Sequence, residues 1–381
     1  MSSELKINET FDSMNLKEQL LRGILSYGYE KPSIVQTKGI VPVIEGNDCI
    51  IQAQSGTGKT GTFSISILQM IDPEIKSCQA IILNPTREIA DQTLHVVKTL
   101  GNYLKLNIMG VIGGKNINYN SIGDMQILVA TPGRIFDMIE KGFINMSTLK
   151  IIVLDEADQM LDKGFKEQLN EIFKYVNPSA QISIYSATMP KDILYLSEQF
   201  MKDPLKILIK KEQLTLEGIK QFYIILNNEQ DKYITLIELY QSLFIGQSII
   251  YCNSKKKVSW LAEKLNDVGY SISSIHGDIP QKERDEIMIN FRKNLTRVLI
   301  TTDLLSRGID VQQVSLVINY DLPRDRESYI HRIGRTGRYG RKGVAINLIG
   351  CDNDIKQLAD IQKFYNTQID EMPANIENYL V

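Results

Sequence analysis

The sequence predicts two tandem doubly wound α/β domains with parallel sheets, joined by a short linker. Three observations carry that expectation. Short β-branched runs alternate with amphipathic helical stretches from end to end. The runs are mostly continuous and apolar, as expected of strands buried on both faces of a parallel sheet. The chain has 381 residues, enough for two domains of ordinary size.

In the first half, strands are expected at Cys49–Ala53, Ala80–Leu83, Gln126–Ala130, Ile151–Leu154, Ile182–Tyr185 and Leu205–Ile209. Phe63, Ile67 and Ile71 recur at i+4 after the first of them, and Leu94, Val97, Leu100 and Leu104 line a later helix face. In the second half, strands are expected at Ser248–Cys252, Ile272–Ile275, Val298–Thr301, Leu316–Asn319 and Val344–Leu348, with a helix around Trp260, Leu261 and Leu265. The charged segment Lys210–Glu217 has no core pattern and reads as the linker. The expected division is therefore 1–209, 210–217 and 218–381. The halves share an architecture but no residue-level repeat.

Composition narrows the classes. With 43% hydrophobic and 23% charged residues the chain reads as a soluble globular protein. No apolar run approaches the ~18 residues of a membrane span, and Met1–Thr10 has no signal-peptide core. Cys49, Cys78, Cys252 and Cys351 are scattered, which argues against a zinc ribbon or a disulfide scaffold. They are expected to be reduced core thiols in a cytosolic or nuclear compartment. A net charge of -2 does not exclude nucleic acid, which needs only a local basic surface.

The chemistry begins after the first strand. Ala53, Gln54, Ser55, Gly56, Thr57, Gly58, Lys59 and Thr60 form a strand-to-helix turn of the phosphate-loop type. Gly56 and Gly58 let backbone N–H groups approach phosphate oxygens, and the helix N-terminus adds its positive end. Lys59 would reach the β- and γ-phosphates of ATP, and Thr60 would ligate Mg²⁺. The strict pattern starts with Gly where this chain has Ala53. A Gly-rich turn that binds nothing is the simpler alternative, and Gly-Lys-Thr in this context argues against it. A second site follows Ile151–Leu154, where an apolar strand ends in Asp155, Glu156 and Asp158. Asp155 would hold Mg²⁺ and Glu156 would position and deprotonate the attacking water. An acidic helix start alone would explain the carboxylates equally well. The phosphate loop tips the balance.

Asp155-Glu-Ala-Asp158 spells the signature of the DEAD-box helicases, and the chain resembles that family from Phe11 to the C-terminus. Gly28–Gln36 resembles its Q motif. Pro85–Ala90, Gly113-Gly114 and Thr131–Arg134 resemble the RNA-contacting motifs of the first lobe, and Ser186-Ala-Thr188 the motif that couples hydrolysis to RNA. Gln281–Arg284, Thr302–Asp310 and His331–Arg338 complete the set. Within the family, Glu212–Ile219, Val311–Pro323 and Arg341–Asn347 are similar to the subfamily of eukaryotic translation initiation factor 4A and its exon-junction paralogue. Asn84 where Ala is usual, Gly61, Ile89 for Leu and Ser306 for Ala are departures, and none removes a reacting group.

The resemblance implies two RecA-like lobes, RNA-stimulated ATP hydrolysis and local unwinding of short duplexes, in translation initiation. It implies Arg335 and Arg338 as arginine fingers, Phe11 and Gln36 on the adenine, and Asp310 on the ribose. Gln36 can pair bidentately with adenine N6 and N7, and Tyr29 is a second candidate for stacking. Thr86, Arg87, Gly114, Thr131, Arg134, Gln281, Arg284 and Thr302 match positions that hold the RNA backbone. Short hydroxyls, glycines and arginines suit phosphate and 2′-OH contacts, so sequence specificity should be low. Asp158, Ser186, Thr188 and His331 match coupling positions. The expected partners are RNA and a translation-initiation scaffold, with no membrane, and the protein is expected to be a monomer of the cytoplasm and also of the nucleus. An ATP-gated RNA clamp that serves as a platform, and a DNA helicase or remodeller, are the alternatives. The Q motif and the Asp155–Asp158 tetrad argue against the second.

Overall fold

The computed structural model describes residues 9–53, 56–114, 119–209, 219–242, 246–303, 314–336, 343–373 and 375–379. The chain divides into two compact units, Met1–Lys210 and Lys211–Val381. The expected linker at 210–217 lies outside the described residues.

The first unit is one seven-stranded sheet built from β1 (Cys49–Gln52), β2 (Ala80–Leu83), β3 (Ile108–Val111), β4 (Ile127–Ala130), β5 (Ile151–Leu154), β6 (Gln181–Ser186) and β7 (Leu205–Leu208). Every pairing is parallel, in the order β3-β4-β2-β5-β6-β1-β7. The second unit holds β8 (Ile219–Ile225), β9 (Gln247–Tyr251), β10 (Ile272–Ile275), β11 (Val298–Thr301), β12 (Val314–Asn319), β13 (Gly343–Ile349) and β14 (Asp370–Glu371). Its order is β10-β11-β9-β12-β13-β8-β14, again all parallel. Renumbered within each unit, both sheets run 3-4-2-5-6-1-7. The two halves thus share a topology, although no residue-level repeat links them.

The central strands are apolar because helices cover both faces and leave no side wet. Ile81, Leu128, Ile152 and Ile184 are buried in one layer of the first unit, and Ile250, Ile300, Ile318 and Ile346 in the second. The parallel crossovers place every strand's carboxyl end on the same edge of its sheet. In the first unit that edge receives the phosphate loop after β1, Asn84–Arg87 after β2, Gly113-Gly114 after β3, Thr131–Arg134 after β4, Asp155–Asp158 after β5 and Ser186–Thr188 after β6.

Several sequence expectations are corrected. The strands β3, β8 and β14 were not anticipated. β3 and β14 are edge strands: β3 is half-buried apart from buried Val111 and carries Gly110, and β14 is exposed. β8 carries Lys220 and Gln221, and buried Gln221 is satisfied by Thr367 Oγ1 and Tyr329 Oη. The helix α4 (Arg87–Leu100) ends before Leu104, and its core face is Ile89, Ala90, Thr93, Val96, Val97 and Leu100. Ile71 is the C-cap of α3 (Lys59–Met70) and is still buried. Cys49, Cys78 and Cys252 are buried as expected, but Cys351 is exposed at the N-cap of α13 (Asp352–Tyr365).

Candidate functional site

The first unit assembles its site along the carboxyl edge. Gly58 is the N-cap of α3 at φ 103°, and Gly56 lies at φ 83°, backbone that a side chain would strain. Gln54 and Ser55 lie outside the described residues. Thr57 and Thr60 are half-buried beside the helix start. Lys59 is 4% exposed, and its Nζ donates to Ala53 O at 2.8 Å and pairs with Glu156 Oε1 at 3.3 Å. Lys59 is therefore part of the packing. The Ala53 N–H is held by Ser186 O at 3.0 Å, so the loop's entry is tied to the Ser186–Thr188 segment.

Glu156 adopts φ 49° as the N-cap of the short helix α6 (Ala157–Asp162), and its Oε2 is buried without a hydrogen-bond partner among the described residues. A non-Gly residue held left-handed at a site is a strained position that the surroundings must enforce. Burial, together with the Glu156 carboxylate beside it, pushes Asp155 up to about 7, against the pull of Lys59. Asn84 Nδ2 donates to Asp155 Oδ2 at 3.2 Å. Asp158 is buried and accepts from Thr188 Oγ1 at 2.9 Å. Ser186 is fully buried. The acids Asp155, Glu156 and Asp158 after β5 and the Ser186–Thr188 segment at the end of β6 therefore sit on adjacent strand ends.

The residues present fit a magnesium–nucleotide complex. Asp155 supplies a hard carboxylate oxygen, Thr60 a hydroxyl at the α3 N-terminus, and Glu156 a buried orphaned acceptor. Among the described residues no cluster of three or more His, Cys, Asp or Glu side chains could hold a metal unaided. Mg²⁺ needs no such cluster, since it takes one or two carboxylates and relies on phosphates and water for the rest.

The Q-motif segment packs onto the loop. Gln36 is buried, and its Oε1 accepts from Ser33 N at 2.8 Å in a capping box that opens α2 (Ile34–Ile44). Its Nε2 and a second lone pair on Oε1 remain for a base. A Cβ on Gly58 would lie 2.7 Å from Ser33 Oγ, and one on Gly61 would lie 2.6 Å from Gln36 Nε2 and 3.0 Å from Tyr29 Oη. The sequence offered no reason for Gly61; close packing against Gln36 and Tyr29 is that reason. Phe11 is buried with its ring 6.4 Å from that of Tyr29 at 18°, and Tyr29 is half-buried.

A separate cleft of about 500 Å³ is lined by Pro85, Thr86, Arg87, Gly113, Thr131, Gly133, Arg134, Asp137 and Phe165. Four first-lobe RNA candidates from two sequence-distant segments meet there. Thr86 caps α4 by accepting from Ile89 N, and Thr131 is the N-cap of α5 (Pro132–Glu140). Arg134 pairs with Asp137 at 3.3 Å. A Cβ on Gly113 or Gly114 would come within 3.0 Å of the Arg87 guanidinium, so this glycine pair makes room for the arginine. Asp137 and Phe165 in the wall were not anticipated. Nothing in their local pattern marks them, since each reads as an ordinary helix-surface or helix-start residue.

In the second unit, Gln281 opens α11 (Gln281–Arg292) and its Oε1 accepts from Arg284 Nη2 at 2.6 Å. Arg284 is thus not the simple solvated charge that an isolated helix arginine suggests. Thr302 is half-buried after β11. His331 and Arg335 are buried, and Arg335 Nε donates to His331 O at 3.0 Å at the end of α12 (Arg326–Ile333). Arg338 and Asp310 lie outside the described residues. Arg332, unassigned in the sequence, is fully buried and joins four segments. It bonds Asp303 through Nε and Nη2 at 2.6 and 2.8 Å, Asn253 at 2.8 Å, Asn319 at 3.3 Å and Asp321 O at 2.7 Å. That network ties the Thr302 strand end to α12.

Comparison with known proteins follows the same division. A family model described as DEAD/DEAH box helicase matches residues 33–196, and one described as helicase conserved C-terminal domain matches residues 231–340. The chain is 53% identical to an ATP-dependent RNA helicase eIF4A of Mycosarcoma maydis, over 98% of this chain and 91% of that protein. It is 53% identical to the Neurospora crassa protein of the same name, over 98% and 94%. Among solved structures it is similar to S. cerevisiae Dbp5 bound to RNA and ADP BeF3, with a TM-score of 0.90, 36% identity and 97% of each chain covered. It is also similar to Mss116p bound to ssRNA and AMP-PNP, with a TM-score of 0.85, 26% identity, and 99% of this chain and 82% of that chain covered.

Proposed function

This chain belongs to the DEAD/DEAH box helicase family and is an ATP-dependent RNA helicase of the initiation factor 4A type; from that premise we propose how its residues divide the work. The observation that carries the proposal is the buried cluster in which Lys59 pairs with Glu156, Asp155 stands beside it, and Asp158 is bonded to Thr188.

Gly56, Thr57, Gly58 and Lys59 hold the triphosphate, and Thr60 and Asp155 would hold Mg²⁺, which would supply positive charge against the phosphates. Glu156 takes the proton of the attacking water. Gln36 reads the adenine edge, with Phe11 and Tyr29 beside the base. The Asp158–Thr188 bond and the Ala53–Ser186 bond make the state of the nucleotide site depend on the coupling motif. Thr86, Arg87, Gly114, Thr131 and Arg134 take one stretch of RNA backbone, and Gln281, Arg284 and Thr302 the next. These contacts are to phosphate and sugar, so binding tolerates sequence. Arg335 and Arg338, from the second unit, add cations for the transferring phosphoryl group to the one that Lys59 provides. Such fingers are worth ~10³–10⁵ in kcat, so hydrolysis waits for the two units to close on ATP and RNA together. Translation initiation in the cytoplasm is the setting that this subfamily likeness supports, with a scaffold protein as partner.

The test is multiple-turnover ATP hydrolysis with and without single-stranded RNA, alongside unwinding of a short RNA duplex. RNA stimulation above DNA stimulation and ATP-dependent strand release are expected. An ATPase indifferent to RNA would overturn the division of roles.

A further inference from the structure

Asn84 is the residue after β2, fully buried, with no role in the reading above. Its backbone continues the sheet by donating to Ala130 O at 2.9 Å, which aims its side chain from a fixed strand end. Its Nδ2 donates to Asp155 Oδ2 at 3.2 Å and to Thr93 Oγ1 at 3.1 Å. The amide orientation follows from its partners. Flipped, Oδ1 would face a carboxylate oxygen, acceptor against acceptor, whereas an NH₂ group satisfies both neighbours. In the observed orientation Oδ1 is buried with no hydrogen-bond partner among the described residues. Glu156 Oε2, on the residue next to Asp155, is a second such acceptor. Buried polar atoms are nearly always paired, and an orphan at a site points to a missing donor. Two such acceptors thus belong to residues that adjoin Asp155, Asn84 through a hydrogen bond and Glu156 along the chain.

A hydrated divalent cation meets that need. Mg²⁺ dehydrates reluctantly, so it brings water donors to a site that supplies few direct ligands. Partners behind a ligand orient it, and their loss typically costs 10–100-fold in metal affinity. We propose that Asn84 is a positioning residue for the cation that accompanies ATP: its amide N–H holds Asp155, and its carbonyl oxygen accepts a hydrogen bond from the hydrated cation. The inference rests on the reading of Asp155 as the magnesium-side carboxylate. Thr93 serves as the anchor that keeps the amide from turning.

The experiment measures the full-length chain's affinity for a fluorescent ATP analogue as free Mg²⁺ is titrated, in the unmutated protein, Asn84→Ala and Asn84→Leu. Alanine removes both amide contacts; leucine removes them while keeping the volume. Both variants should need about tenfold more Mg²⁺ for half-saturation, with analogue affinity in excess chelator unchanged. An unshifted magnesium dependence in either folded variant overturns the proposal. A shift in alanine that leucine abolishes also overturns it, because packing would then be the cause. If the unmutated protein binds the analogue with no response to Mg²⁺, the reading of Asp155 itself fails, an outcome the variants do not enter. Near-ultraviolet circular dichroism identifies which variants are folded, and each folded one decides by itself.

Discussion

Lys59 Nζ stands 3.3 Å from Glu156 Oε1, with the two side chains only 4% and 7% exposed. The cation that would grip phosphate and the carboxylate that would accept a proton are therefore already one buried pair. A triphosphate on the loop would share Lys59 with Glu156, so phosphate binding and placement of the base draw on the same charge.

Breaking that pair should cost stability as well as activity. Removing one partner of a buried ion pair typically costs about 3–5 kcal/mol, because the other charge is left uncompensated. Lys59→Ala is expected to abolish RNA-stimulated hydrolysis and to lower the denaturant midpoint of the first unit. Glu156→Gln in addition should recover much of that midpoint and none of the activity. Equilibrium unfolding of the single and double variants checks this, and a single variant as stable as the unmutated protein would contradict it.

Glu156→Gln alone keeps the shape of the site and removes the proton acceptor. With ATP it should hold RNA tightly and release it slowly. Arg335→Ala should also stop hydrolysis but should not accumulate an equally stable RNA complex, since closure would lack its cation. RNA dissociation rates with ATP, read beside single-turnover hydrolysis, separate the two. Rates insensitive to ATP in both variants would mean that the units act independently.

Gly61→Ala tests the packing of the helix start on Gln36. Alanine favours helix by up to about 1 kcal/mol over glycine, so thermal stability should hold or rise slightly. Its Cβ would press on the Gln36 amide and the Tyr29 hydroxyl. The expected result is a raised KM for ATP, with a smaller preference for ATP over GTP, at a melting temperature that holds or rises slightly. Unaltered nucleotide discrimination in the variant would show that Gln36 moves aside without consequence.

The thiols should divide by burial. Burial pushes Cys49 and Cys78 up to about 12, and Cys252 is raised for the same first reason. The thiolate is the reactive form. Because these values are raised, the fraction ionised stays small until the pH approaches them. At pH 8 Ellman's reagent should modify Cys351 quickly in the native protein and all four cysteines only after unfolding. Rapid native labelling of a second thiol would place another cysteine at the surface.

How much was legible depends on range. The phosphate loop, the Asp155–Asp158 strand end and nearly every central strand could be read locally, because a strand buried on both faces must be apolar and a phosphate turn must carry glycine. β3 and β14 were not, since an edge strand tolerates polar and glycine residues. β8 was hidden by exposed Lys220 and by buried Gln221, whose partners come from distant segments. The burial of Lys59, the hub at Arg332 and the cleft wall at Asp137 and Phe165 depend in the same way on side chains far along the chain.

The sequence by itself determined which residues stand at strand ends, in what order, and with what chemistry. Those are local properties of apolar runs, glycine turns and capping side chains. Only the tertiary structure decided which strand ends are neighbours. Placing β1 beside β6 bonds Ala53 to Ser186, and placing β2 beside β5 brings Asn84 to Asp155 across 71 residues of chain. Strand order is settled by burying every apolar run and pairing every backbone donor at once. No single segment carries that information, so the contacts that turn separate motifs into one site appear only when the sheet is complete.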